Sequence, residues 1–276
     1  MTESASSHSQ FLSFIERLSQ SARENTDVLG LVLVGSAAET FRADEWSDHD
    51  FFFIVKPTYG EKFRSDLSWL PSAEEIAFSA RETDHGLKVV YKNGHVLEFA
   101  VFEDMELELA SVNSWAVPVD KTNITERVRA IQTSTNPRPF ILENEWGLFL
   151  ATILIAIGRA RRGELLIANQ GVGTRALNHA LGFLRVSRTP LVNTSQLEDN
   201  LDRFRRVEAQ YPIEAKILID IIHLPVEKAA RALLDFVVTL GILNDELLLQ
   251  GDVVRKRLGW GITPSEVQSH SQHYPN

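Results

Sequence analysis

The chain has 276 residues, 44% of them hydrophobic and 24% charged, which is the composition of an ordinary globular protein of one or two domains. It has no cysteine, no apolar run long enough to cross a bilayer and no secretory signal in its polar first residues, so we expect a cytoplasmic protein without a membrane partner. Its formal net charge of −9 disfavours nucleic acid as a partner, because phosphate neutralisation needs clustered Lys and Arg, and favours a cationic small molecule.

The first half of the chain contains both helical and strand patterns. Residues 10–26 carry apolar side chains at helical spacing and predict an amphipathic helix. Short apolar runs predict four strands: 28–34, 50–55, 87–92 and 96–102. Asn93-Gly94, between the last two runs, is a strong signal for a tight turn and predicts that they form a hairpin. We therefore expect a mixed four-stranded sheet.

The second half has a helical pattern almost throughout. Prolines interrupt every regular element near residues 136–139, so we place a boundary there and expect domains at 1–135 and 136–276. Apolar periodicity predicts helices at 143–162, 173–188, 197–209, 213–222 and 225–249. Gly171-Val172-Gly173 lacks the rest of a dinucleotide-binding motif and is predicted to be a loop. The expected fold class is α+β, a mixed sheet flanked by helices and followed by a C-terminal helical bundle.

A turn of small residues follows the first predicted strand. Gly35 and Ser36 come directly after the run 28–34, and the next residues, 37–39, predict the start of a short helix. Backbone N–H groups at a helix start attract negative charge, so this turn is a candidate phosphate cradle. Ser36 also fits the simpler role of a helix N-cap. We expect Gly35 and Ser36 to contact a phosphate group.

Three carboxylates are predicted to lie on neighbouring strands. Alternation along the second strand places Asp48 and Asp50 on one face and His49 on the other, where we expect it to pack rather than bind metal. Glu98 interrupts an apolar run and needs a cation or a hydrogen-bonding partner there. Such carboxylates can hold two Mg²⁺ ions about 4 Å apart for nucleotidyl transfer. The alternative is a solvated strand entry without metal.

The order of these motifs resembles the signature of the nucleotidyltransferase fold, in which hydrophobic-Gly-Ser precedes Asp-x-Asp or Asp-x-Glu. Here Val34-Gly35-Ser36 is followed, after 11 residues, by Asp48-His49-Asp50, and Glu98 resembles the third carboxylate. Within that superfamily the chain is most similar to bacterial antibiotic nucleotidyltransferases of the lincosamide type, and next to the aminoglycoside type. The similarity spans roughly residues 28–188 and is carried by three stretches: 34–57, 91–103 and 136–164.

This resemblance implies a metal-dependent transferase. Asp48, Asp50 and Glu98 would be its catalytic carboxylates and would bind Mg²⁺, in the family's arrangement two ions. A nucleoside triphosphate, in the first place ATP, would be the donor substrate. Its NMP group would pass to a hydroxyl of a small-molecule acceptor, and pyrophosphate would leave.

The resemblance also implies a cation for the triphosphate and a general base for the acceptor. Family members often carry a basic residue and a glycine soon after the Gly-Ser pair, whereas here five other residues intervene before Arg42. Arg42 and Lys88 are the cations that could bind the triphosphate in their place. For the base, the acidic run after Glu98 offers several candidates, and we favour Glu106 and Glu108 because a base should lie beyond the metal-binding strand.

Two alternatives keep the fold but change the activity. A non-catalytic, antitoxin-like protein would act by binding another chain, although three carboxylates on buried strands argue against a pure binding role. A protein adenylyltransferase would modify a protein hydroxyl. The acidic composition favours a polycationic aminoglycoside, whereas the resemblance favours a lincosamide, and the sequence does not decide between them. We assign the helical half, residues 136–276, to substrate binding or dimerisation, and a homodimer that contributes residues to a shared cleft would suit it.

Overall fold

The computed structural model describes residues 2–134, 139–191 and 202–261, except for the side chains of residues 2–7, 42, 133 and 134. The chain divides into two compact units, Met1–Asn136 and Pro137–Asn276. The junction that the sequence predicts near 136–139 falls largely on residues 135–138, outside the described ranges. Within the described part of the chain, no helix has the length and apolar character that a membrane span requires.

The first unit combines helices and strands. Its elements are α1 (Thr2–Glu24), β1 (Val28–Val34), α2 (Gly35–Ala38), β2 (His49–Val55), α3 (Gly60–Ser65), β3 (Ile76–Arg81), β4 (Gly86–Tyr91), β5 (Val96–Glu103), β6 (Trp115–Asp120) and α4 (Ile124–Ser134). The first helix thus begins at Thr2, well before the predicted residue 10. The short helix α2 follows β1 directly, as the Gly-Ser turn predicts.

The strands form one mixed sheet in the order β3-β4-β5-β2-β1-β6. The β2–β5 pair is parallel, and the other neighbouring pairs are antiparallel. The predicted hairpin is present as β4 and β5, with Gly94 at a φ of +85° in its turn. The prediction of four strands is wrong because it lacks β3 and β6. Both are edge strands; β3 is mostly exposed and β6 contains Pro118, so neither has a clear buried pattern.

The sheet buries side chains on both faces. On one face, Phe51 of β2 lies in a core with Leu18 of α1. On the other face, Ile54 of β2 lies in a second core with Val128 of α4. This division follows from the alternation of side chains along an extended strand. His49, two residues before Phe51, shares the α1 face, which agrees with the packing role predicted for it.

The second unit is helical in the residues that the structure describes. Its helices are α5 (Leu142–Arg161), α6 (Leu165–Gln170), α7 (Leu177–Ser187), α8 (Val207–Gln210), α9 (Pro212–Ile222), α10 (Val226–Thr239) and α11 (Asp245–Leu258). They enclose one hydrophobic core in which Trp146 of α5 is fully buried. The indole N–H of Trp146 donates to the carbonyl oxygen of Leu247 at 2.8 Å, which satisfies its one polar group. The α+β class with a C-terminal helical region is confirmed.

Several predicted helix boundaries in this unit are wrong. The helix predicted at 225–249 is two helices, because Gly241 adopts a φ of +74° after α10 and the Asn244 side chain accepts from the Leu247 N–H to cap α11. The loop predicted at 171–173 belongs to a π-helical turn, Gly171–Ala176, that joins α6 to α7. The helix predicted at 197–209 lies partly outside the described residues, and of residues 202–209 only those from Val207 onward are helical.

Candidate active site

The three predicted carboxylates lie together at one end of the β2–β5 pair. Asp50 of β2 is the register partner of Glu98 on the parallel strand β5, and Asp48 directly precedes β2. One carboxylate oxygen from each residue lies within 4.8 Å of those of the other two. Asp48 and Asp50 are half-buried, whereas the Glu98 side chain is 46% exposed. Hard oxygen ligands that lie this close together are able to hold a divalent cation such as Mg²⁺.

The Gly35-Ser36 turn packs directly against this cluster. Gly35 has a φ of +56°, and a Cβ atom built on it would lie 3.0 Å from Oδ2 of Asp50. The hydroxyl of Ser36 donates to the carbonyl oxygen of Asp48 at 3.2 Å. The N–H of Gly35 is used by the fold, since it donates to the carbonyl oxygen of Ser114 at 3.2 Å. Both the conformation and the available space therefore favour glycine here, and the Ser36 hydrogen bond joins α2 to the segment that carries Asp48.

Lys88 is a cation that contacts the cluster through Glu98. It is the register partner of Glu98 across the β4–β5 hairpin, and its Nζ lies 3.1 Å from Oε2 of Glu98. A second carboxylate, that of Glu82, lies 3.1 Å away on the other side. The hydrogen bonds to Glu98 and then to Glu82 raise the pKa of Lys88 above its ordinary value. Lys88 thus meets the demand for a cation beside Glu98. The side chain of Arg42, the other predicted cation, lies outside the described structure.

His49 lies behind the carboxylates and belongs to a buried network that the sequence did not reveal. Its ring is 1% exposed and stacks on Phe11 of α1 with ring centroids 3.8 Å apart. Its Nε2 lies 3.0 Å from the carbonyl oxygen of Phe11 and its Nδ1 lies 2.7 Å from Nε2 of His95. Burial lowers the pKa of His49 to about 3, with a further decrease from His95, although the Phe11 carbonyl opposes it. His49 is therefore neutral at physiological pH.

The two predicted general bases do not lie at the cluster. Both follow the far end of β5, where Glu103 pairs with Val55, and five strand residues beyond Glu98 correspond to about 17 Å. Glu106 accepts from the Glu103 N–H at 2.8 Å and contacts Arg64 and His85 at 2.9 and 3.1 Å. Glu108 pairs with Arg127 at 3.2 Å. The structure gives these side chains structural partners and does not bring them to the carboxylate cluster.

We expect Glu106→Gln to lower stability by about 1 kcal/mol at pH 7 and to leave any activity of the cluster unchanged. Burial alone would raise the pKa of Glu106, but the Glu103 N–H, His85 and Arg64 together lower it. The charged form is therefore the stabilising one. The contribution of the ionised Glu106 carboxylate to stability is fully present above the ordinary carboxyl pKa of 4.5. It is lost as the pH falls through the lowered pKa of the folded state. Urea unfolding of both proteins from pH 7 to pH 3 measures this, and equal stability at pH 7 would contradict it.

A cavity of about 950 Å³ opens beside the cluster within the first unit. Asp48 lines both the cavity and the candidate metal site. The remaining walls come from the middle of α1 (residues 9–17), the loop before β2 together with His49, and the turn of the β4–β5 hairpin, which includes His95. The indole of Trp46 in that loop is 87% exposed. No sequence pattern pointed to this cavity, because its three walls are far apart along the chain.

Comparison with known proteins gives remote structural similarity only. No protein-family profile and no curated protein matches the chain. An aminoglycoside 6-adenyltransferase from Bacillus subtilis aligns with 10% identity over 94% of this chain and 96% of its own, with a TM-score of 0.30. A nucleotidyltransferase-like protein from Exiguobacterium sibiricum aligns with 13% identity over 86% and 78%, at 0.31. A STING-associated CdnE c-di-GMP synthase from Capnocytophaga granulosa aligns with 11% identity over 88% and 82%, at 0.30. At such TM-scores these similarities carry no argument about the chemistry of this chain, and they do not support lincosamide specificity.

Proposed function

We propose that this protein is a metal-dependent nucleotidyltransferase that moves an NMP group from a nucleoside triphosphate, ATP in the first place, to a hydroxyl of a small molecule. One observation carries the proposal: oxygens of Asp48, Asp50 and Glu98 lie within 4.8 Å of one another beside a Gly-Ser turn. Three carboxylates this close repel one another unless a cation neutralises them. Lys88 offsets the charge of Glu98, and a bound divalent cation would neutralise the cluster as a whole.

The residues around the cluster have separate roles in this proposal. Asp48, Asp50 and Glu98 would hold Mg²⁺, which when bound neutralises phosphate charge and favours displacement of pyrophosphate. Gly35 leaves room for the Asp50 carboxylate, and its turn faces the cluster. The positive charge of Lys88, which pairs with Glu98, can also attract the phosphates of a triphosphate.

The cavity beside Asp48 is the proposed place of the acceptor. Its charged lining is three carboxylates, those of Asp44, Glu45 and Asp48, against one guanidinium, that of Arg17. This balance repels a triphosphate and attracts an amine-bearing acceptor, which fits both aminoglycosides and lincosamides. The assignment of the helical unit to acceptor binding or dimerisation, the small-molecule partner and the cytoplasmic location stay predictions.

The test is Mg²⁺-dependent pyrophosphate release from ATP and from GTP with a panel of aminoglycosides and lincosamides, followed by mass spectrometry. We expect an acceptor whose mass increases by one nucleotide, and no product with EDTA. Labelling of the chain itself, or of proteins in a lysate, would instead favour a protein adenylyltransferase. Absence of any metal-dependent nucleotide binding would overturn the proposal in favour of a non-catalytic binding protein.

Lys88→Met should change metal and nucleotide binding in opposite directions. Removal of the positive charge 3.1 Å from Glu98 should tighten Mn²⁺ binding in the absence of nucleotide by about threefold to tenfold. The same change should raise the KM for the triphosphate, because Lys88 no longer offers its charge to the phosphates. Electron paramagnetic resonance with Mn²⁺ and steady-state kinetics measure the two effects. Lys92→Met, which removes a lysine paired with Glu75, is the matched control, and equal shifts in both variants would contradict a specific role.

A further inference from the structure

A chain of hydrogen bonds links three parts of the first unit behind the candidate metal site. Phe11 belongs to α1, His49 is the first residue of β2, and His95 lies in the turn before β5. The His49 ring contacts the Phe11 carbonyl at 3.0 Å and His95 at 2.7 Å. Phe14 adds packing, with its ring centroid 4.7 Å from that of His49 and 4.8 Å from that of His95. The network is thus aromatic and mostly buried.

The atoms that accept hydrogen bonds in this network determine which ring nitrogens carry the protons. A carbonyl oxygen can only accept, so the proton toward Phe11 is on Nε2 of His49. A neutral imidazole has one N–H, which leaves Nδ1 of His49 as an acceptor. Nε2 of His95 must therefore donate to it. His95 is the only one of these groups that is partly exposed, and replacing it removes the donor without removing a ring from the core.

This hydrogen-bonded network lies at the end of the β2–β5 strand pair, which carries the carboxylates. His49 is the register partner of Leu97, and the next pair along the same ladder is Asp50 with Glu98. The cluster therefore lies one residue from the end of the β2–β5 ladder, where strand pairs open most easily. The bond between His49 and His95 joins the first residue of β2 to the residue that directly precedes β5, on the face opposite the carboxylates. It therefore limits the separation of Asp50 from Glu98.

We propose that His49 and His95 are positioning residues for the metal site, which they act on by holding the start of β2 against the start of β5. In this role they act on the metal site through the backbone of β2 and β5 and are not metal ligands, although both also line the cavity beside Asp48. The inference rests on the proposed function, because it assumes that Asp48, Asp50 and Glu98 bind a divalent cation.

The test is Mn²⁺ affinity, measured by electron paramagnetic resonance without nucleotide, in three variants of His95. We expect His95→Phe, which keeps the ring but has no donor, to weaken Mn²⁺ binding by about 10-fold while the circular dichroism spectrum is unchanged. His95→Ala should show the same loss of Mn²⁺ affinity, and it replaces His95→Phe in the test if the bulkier phenylalanine ring prevents folding. His95→Gln, whose amide can donate to Nδ1 of His49, should restore affinity to within about threefold of wild type.

His85→Gln is the matched control, because His85 bonds to Glu106 beyond the far end of the sheet and should leave Mn²⁺ affinity unchanged. A merely structural role for His95 would lower the melting temperature of the variants without changing their Mn²⁺ affinity. A folded His95→Phe or His95→Ala protein that binds Mn²⁺ within about twofold of wild type would overturn this inference alone. A wild-type protein that binds no Mn²⁺ would overturn the proposed function together with it.

Discussion

Asp50→Asn is expected to lower kcat for metal-dependent transfer by at least about 1000-fold, because a bound cation supplies several kcal/mol of charge stabilisation that the amide cannot retain. Asp50 is central to the cluster: it faces Glu98 across the parallel ladder and Gly35 in the adjoining turn. Asparagine has almost the same shape, so the loss reflects the negative charge rather than packing. Initial rates of pyrophosphate release and Mn²⁺ titration measure the two consequences.

Asp27→Asn is the matched control for this substitution. Asp27 pairs with Lys56 at 3.5 Å at the opposite end of β1 and β2, and such exposed pairs contribute little to stability. We expect its variant to keep a rate within about twofold of wild type. If Asp50→Asn kept more than about a tenth of the wild-type rate, the assignment of Asp50 as a metal ligand would be wrong.

Gly35→Ala is expected to reduce activity by about 100-fold, because a small displacement of a catalytic group has an effect of this size. The new Cβ would lie 3.0 Å from Oδ2 of Asp50, and the carboxylate or the turn must shift to relieve the contact. The φ of +56° adds strain of about 1 kcal/mol for any residue with a side chain. Activity should therefore fall further than the loss of stability can explain.

Gly163→Ala separates the two causes. Gly163 also has a positive φ, +85°, but a Cβ there would have no neighbour within 4 Å, and it does not line the proposed acceptor cavity. Its variant should lose about 1 kcal/mol of stability and keep its activity. Thermal unfolding and initial rates of both variants measure this comparison. Equal activities for the two alanine variants would show that the contact with Asp50 has no functional consequence.

Local patterns predicted the elements whose signals are contained in a few neighbouring residues. The Asn93-Gly94 turn predicts the β4–β5 hairpin because a two-residue turn with positive φ has a narrow choice of residues. The edge strands β3 and β6 were missed because an edge strand needs no continuous apolar face. The prediction of one helix at 225–249 is wrong because a helix ends near Gly241 and Asn244 caps a new one. The apolar pattern continues through both helices and does not show this break.

The sequence by itself determined which carboxylates share a face. Alternation along a strand has a period of two residues, so Asp48 and Asp50 are placed together, and His49 away from them, by local geometry alone. Glu98 stood out because an isolated carboxylate in an apolar run requires a partner. These inferences need no information about distant parts of the chain.

Only the tertiary structure decided how distant segments meet. The parallel pairing of β2 with β5 places Asp50 beside Glu98, and it equally carries Glu106 and Glu108 to the far end of the sheet. The partnership of His49 with His95, 46 residues apart, has no counterpart in any local pattern. The physical reason is that hydrophobic periodicity records which face of an element is buried, whereas the identity of its neighbour depends on how strands and helices pack together.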